Sequence, residues 1–209
     1  MKWFNHITLT LALALLVSTA FAQETALADA VMKKLQAFSD KTTSITCRFE
    51  QVKTMEFVKD PLVSSGRFYY FSPDNIRWDQ TVPEEYILLI SGEEMKIKKD
   101  GKEKTHDLDK SRAMDAFRDM LLGIINGKIL KSKQFAVKYF ETDTDYVLHL
   151  TPESRAGKQQ FSLIKLNFSK TDMSLKTISM KEKDGNQALI SMSDPVFNET
   201  IAADRFTKF

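Results

Sequence analysis

The sequence predicts a mainly β (α+β) fold: one strongly curved antiparallel sheet of about eleven short strands, with two or three helices. Three observations lead there. The first is Ser65–Gly92, SGRFYYFSPDNIRWDQTVPEEYILLISG, where strand-like runs alternate with turn chemistry. Second, the same rhythm returns after residue 134 through five further runs. Third, two amphipathic stretches have helical spacing, one before the strands and one between the two sets.

Residues 1–22 read as an export leader. Lys2 gives a short positive start, Ile7 to Val17 an apolar core, and Ala20-Phe21-Ala22 a small-residue cleavage site that leaves Gln23 first. The apolar run is too short for a transmembrane helix, and no Cys follows the site to take a lipid. Removing 22 of 209 residues leaves 187, enough for one domain, 23–209, with a substantial core. Losing Lys2 takes the formal charge from +2 to +1, which argues against nucleic acid as the main partner. Cys47 is alone, so stability comes from burial. It falls in a strand pattern and reads as a core residue.

Thr25–Ser39 forms the first helix, with Leu27, Val31, Leu35 and Phe38 at helical spacing, and Asp40-Lys41-Thr42 ends it. Ser44–Lys53 opens the sheet, and Met55–Ser64 continues or loops out, with Pro61 as a breaker. Gly66 leads into the aromatic strand Phe68–Phe71, and Ser72-Pro73-Asp74-Asn75 turns the chain. Ile76, Trp78 and Gln80 alternate with Arg77, Asp79 and Thr81. Pro83-Glu84-Glu85 breaks before Tyr86–Ile90, and Ser91-Gly92 turns into Met95–Lys99. Asp100-Gly101, a preferred two-residue turn, joins that strand to Lys102–His106.

Lys110–Asn126 is the second helix. Phe117, Leu121, Ile124 and Ile125 share a face, which Met114, Met120 and Leu122 widen beyond one contact surface, and Gly127 stops it. The later strands are Gln134–Phe140, Asp145–Thr151, Gln160–Phe168, Ser174–Met180 and Gln187–Met192. Asp194-Pro195 then leads to a short segment ending Arg205-Phe206-Thr207-Lys208-Phe209. A sheet this wide, once curled, encloses more space than its own side chains fill, and the helices are the natural plug.

Catalytic chemistry finds little support. His106 and His149 stand at no metal-ligand spacing from an acid, and no nucleophile elbow, phosphate loop or Cys-x-x-Cys occurs. Ser162 and Lys165 fall three apart on a strand, hence on opposite faces. No catalytic residue, metal or cofactor is assigned. Lys96, Lys98, Lys99, Lys102 and Lys104 gather on one hairpin. They read as a solvated edge that blocks strand pairing, or as a surface for docking an acidic partner or anionic membrane.

The ordered set Phe49-Glu50-Gln51, Gly66–Phe71, Pro73-Asp74, Arg77-Trp78, Pro83-Glu84 and Ile87–Gly92 resembles the LolA family of periplasmic lipoprotein carriers. That resemblance implies an incomplete β-barrel with a helical lid over a hydrophobic cavity. It implies acylated lipoproteins as cargo, an inner-membrane lipoprotein-releasing transporter, an outer-membrane acceptor, and a periplasmic monomer. Strand alternation offers Phe49, Phe68, Tyr70, Ile76, Trp78, Ile87, Leu89, Met95 and Ile97 as the acyl-chain lining. Phe117, Met120, Leu121, Ile124 and Ile125 form the lid. One departure stands out: in the family an Arg precedes the Pro of the central turn and holds the lid shut, whereas here that place is Ser72. Arg77 is the other latch candidate, although alternation with Trp78 points it away. Two further readings stay open: a carrier of another amphiphile on the same fold, and an interaction protein whose core is filled by its own side chains.

Overall fold

The computed structural model describes residues 28–110 and 112–209. The leader 1–22, its cleavage after Ala22, and Leu27 lie outside them, as does the side chain of Met114. The chain runs from helix α1 (28–41) into β1 (Ser44–Thr54), β2 (Leu62–Phe71), β3 (Asn75–Val82), β4 (Tyr86–Ser91), β5 (Glu94–Lys99) and β6 (Lys102–Asp107). A 3-10 turn, Leu108–Lys110, precedes α2 (Arg112–Ile125), and a second, Lys128–Lys131, follows it. Then come β7 (Phe135–Glu141), β8 (Asp145–Pro152), α3 (Arg155–Gln160), β9 (Phe161–Ser169), β10 (Leu175–Glu182) and β11 (Gln187–Phe197). A last 3-10 turn spans Ala203–Phe206.

All eleven strands form one antiparallel sheet, ordered β6-β5-β4-β3-β2-β1-β11-β10-β9-β8-β7. Two meanders therefore meet where β1 pairs β11, and α2 carries the chain from one free edge to the other. The fold class read from the sequence is the one observed: an open, curved sheet with helices on its concave side.

Local chemistry explains the element boundaries. Asp100 and Gly101 have φ of 52° and 70°, the paired left-handed conformation that suits a two-residue hairpin. β11 does not stop at Met192. The register shifts between Thr46 and Arg48 on β1, and Asp194 takes φ 52°. That bulge accommodates Pro195, and pairing resumes at Val196 and Phe197. The sequence reading gave no α3, a single turn without apolar periodicity. Its sole signal is the Ser154 cap, whose Oγ accepts from the Gly157 N–H at 3.2 Å.

One core fills the concave side. Directly paired residues share a face, and the pairings carry an apolar band across the sheet: Met95, Ile90, Ile76, Tyr70 and Ile45 in one row. A second row runs Ile97, Leu88, Trp78, Phe68 and Cys47. On the other side of β1 a third row of the same face runs Ile190, Ile178, Leu166, Leu148 and Tyr139, with Ile190 paired to Gln51 of β1. Val31 and Leu35 of α1, Met120 and Ile124 of α2, and Ile129 after it are buried against this band.

Candidate functional site

The site is built from that concave band and the helices lying on it. Of the nine residues offered as cavity lining, Phe49, Phe68, Tyr70, Ile76, Trp78, Met95 and Ile97 face the core. Phe49 stacks on Trp78 at 3.7 Å, and Phe68 meets Trp78 edge-on at 6.2 Å. Ile87 and Leu89 do not. Both are buried, but Leu88 and Ile90 take the concave face, since they pair with Trp78 and Ile76, and Ile87 and Leu89 therefore point to the convex side. Of the lid residues, Met120 and Ile124 are buried and Leu121 and Ile125 partly so. Phe117 departs from the expectation: it shares the helical face of Leu121 and Ile124 but lies one turn earlier, where it is 37% exposed and outside the buried core.

An apolar cavity of about 40 Å³ remains between α1, α2 and the sheet. Leu35 and Phe38 of α1, Ile124 and Ile125 of α2, and Cys47 and Phe168 of the sheet are among its lining residues. Of the lining named from the sequence, Phe68 alone borders it. The lining residues that sequence reasoning left out lie on α1, in the turn after α2, and on β1, β9, β10 and β11. Their signal was present in the periodicity of α1 and the strand placement of Cys47, which had been read as plain core.

The interior is held neutral. Burial pushes the Cys47 thiol up to about 12. It also raises the Tyr86 and Tyr139 phenols, and the Tyr70 phenol, where a hydrogen bond with Ser72 opposes it. Among the described residues no group of three or more His, Cys, Asp and Glu is placed to hold a metal. No described helix is long and apolar enough to cross a membrane.

A wider groove of about 470 Å³ runs along the rim, between Pro73 and Asp74 on the β2–β3 turn and Asp119, Met120, Leu122 and Gly123 on α2. Ser72 is part of this turn and, among the described residues, has no hydrogen bond to α2. Its backbone N–H donates to the Thr43 carbonyl at 2.9 Å. A polar tie between helix and sheet lies elsewhere: Lys34 Nζ on α1 donates to the Tyr146 hydroxyl at 2.7 Å. The same ammonium lies 5.2 Å from the Tyr146 ring centroid.

Arg77 points away from the helices on the concave side. It is 6% exposed on the convex side of β3, where its Nε donates to Asp79 Oδ1 at 2.6 Å. One terminal nitrogen donates to the Arg205 carbonyl at 2.9 Å and the Lys208 carbonyl at 2.6 Å. These bonds clip the C-terminal segment across β3 and β4, with Phe206 buried near Leu89. That cover explains why β4 is apolar on both faces. Replacing Arg77 with Met is expected to cost about 2 kcal/mol in urea unfolding, the scale of hydrogen bonds to a charged group. It should also release residues 203–209 to carboxypeptidase while leaving uptake of apolar probes unchanged; a change in uptake would restore Arg77 to the lid.

A search of curated protein sequences gives no match. Among solved structures, the chain is similar to an uncharacterised conserved protein of Thermus thermophilus, at 8% identity over 87% of this chain and 93% of that one, TM-score 0.55. It is also similar to the Mycobacterium tuberculosis lipoprotein LppX, at 11% identity over 87% and 100%, TM-score 0.51. These likenesses concern the fold. A LolA superfamily protein of Nitrosomonas europaea aligns at 13% identity over 87% and 98%, TM-score 0.47. The family model described as outer membrane lipoprotein carrier protein LolA matches residues 40–208, and the chain belongs to that family.

Proposed function

We propose that this protein is a non-catalytic periplasmic carrier that takes the acyl chains of lipoproteins into its concave face and delivers them toward the outer membrane. The observation that carries the reading is the unbroken apolar band from β5 to β7, covered by helices that no disulfide fixes there. Exposing one methylene to water costs ~0.8 kcal/mol, so a chain of about sixteen carbons is worse off by roughly 12 kcal/mol in an aqueous compartment. Such cargo needs shelter in transit, then direct hand-off between partners. An inner-membrane transporter that releases lipoproteins and an outer-membrane acceptor fit that requirement, as does export of residues 23–209 as a monomer after removal of 1–22.

The conformation described is closed. A cavity of about 40 Å³ falls well below the ~300 Å³ of the smallest ordinary ligand sites. Loading therefore requires the helices to leave the band. The same filled interior is the observation that favours the second reading, an interaction protein with a self-filled core.

Native mass spectrometry of the mature protein, purified gently from its own periplasm and then offered a synthetic triacylated lipopeptide, separates these readings. Bound acylated species, or uptake of the lipopeptide, supports the carrier. A different co-purified amphiphile keeps the carrier architecture and changes the cargo. An apo mass with no uptake overturns the proposal in favour of the interaction protein.

A further inference from the structure

The sheet ends in two unlike edges. β6 reads KEKTHD and is mostly charged, the pattern that keeps an edge strand from pairing. β7 reads FAVKYFE, with Lys138 at its centre. As the terminal strand, β7 presents a row of backbone N–H and C=O groups to no further strand among the described residues.

Alternation divides its side chains. Val137 and Tyr139 face the core opposite Leu150 and Leu148, whereas Lys138 and Phe140 face outward opposite His149 and Val147. Lys138 aligns with His149 on β8, and His149 aligns with Lys165 on β9. Nearby Lys170 and Lys176 are paired with Glu141 and Asp145 at 2.8 and 2.9 Å. Lys138 and Lys165 have no such acid among the described residues. Burial and then the two lysines hold the His149 imidazole below its usual range, so the positive charge of the row sits on Lys138 and Lys165, and Lys138 at the free edge gains from an acid laid beside it. Phe140 is 44% exposed next to this row, its ring 4.6 Å from the His149 ring.

We propose that β7 is a strand-addition site for an extended acidic segment of a partner protein. The segment alternates apolar residues, set against Val137 and Tyr139, with a carboxylate set against Lys138. A second copy of this chain fits badly. Antiparallel β7–β7 pairing in register places Lys138 against Lys138. No shifted antiparallel register brings Lys138 against Glu141 either, because the two lie on opposite faces. An anionic membrane would answer the charge but not the row of backbone donors and acceptors.

The test uses the mature protein and two fluorescent nine-residue peptides, one alternating valine and glutamate and the other valine and lysine. The glutamate peptide is expected to bind at least tenfold more tightly. Lys138→Glu, a change at an exposed position with the melting temperature checked, should weaken that peptide at least tenfold and confer binding of the lysine peptide. N-methylation of alternate amides in the glutamate peptide should abolish binding with its charge unchanged. Equal binding of both peptides, no effect of K138E, or tolerance of N-methylation would overturn the proposal. So would Lys138-dependent binding to anionic phospholipid vesicles without peptide binding, or dimerisation through β7.

Discussion

A variant carrying Asp74→Cys and Asp119→Cys, joined by a short bifunctional thiol reagent, should lose at least tenfold in uptake of the triacylated lipopeptide, and regain it when a cleavable link is cut. The two positions face one another across the rim groove, on the β2–β3 turn and on α2. A link there holds α2 on the sheet without entering the apolar interior. Cys47 stays silent in this experiment: it is buried and its thiol is pushed up to about 12, so little reactive thiolate exists. Magnitudes favour opening at this helix. Uncovering the side chains of Met120 and Ile124, with part of Leu121 and Ile125, forfeits about 1.5–3 kcal/mol for each fully buried group, or roughly 5–8 kcal/mol together. One long acyl chain returns roughly 12 kcal/mol on entering, so cargo can hold the lid open where water cannot. Unchanged uptake in the linked protein would rule out α2 as the gate and direct attention to α1 and its Lys34–Tyr146 tie.

The strands were legible because turn chemistry and alternation agree along most of the chain. The site was less so. In Ile76–Gln80 polar and apolar residues alternate, and the concave face follows. Tyr86–Ile90 has no alternation, so parity there is undetermined, and Ile87 and Leu89 fell on the wrong side. The cause lies more than a hundred residues away: the segment held by Arg77 covers the convex face and makes β4 apolar twice over. Alternation with Trp78 places Arg77 on the other face, but nothing local shows that its partners there are the carbonyls of Arg205 and Lys208. The width of the α2 stripe was visible, and Phe117 is on it by spacing, but periodicity gives the face of a helix and not how far along its length the contact runs: burial begins at Met120 and leaves Phe117 exposed. Gly66 was visible as one position in an ordered set, without the physical reason for it.

That reason supports the second large effect: Gly66→Ala should destabilise the protein by about 3 kcal/mol, at the upper end of overpacking costs. Gly66 pairs with Phe49 on β1 and with Gln80 on β3, where the register is irregular between Ser65 and Gly66. A methyl group there would lie 1.8 Å from the Asp79 carbonyl oxygen and 2.8 Å from the Gln80 Cα. Both are backbone atoms, so rotating a side chain gives no relief and β2 must part from β3. The strain falls directly beneath the Phe49–Trp78 stack, so the concave face should loosen as well. For a chain of this size the loss corresponds to a fall in Tm of roughly 6–12 °C. Gly92→Ala is the comparison: it has φ of +56° with open space around the added carbon, and should cost only the ~1 kcal/mol of a left-handed residue. Thermal unfolding of both variants decides the matter. A G66A protein melting within about 2 °C of the parent, less than 1 kcal/mol on the same scale, would mean that the β2–β3 pair yields freely and that the close approach is not what requires glycine.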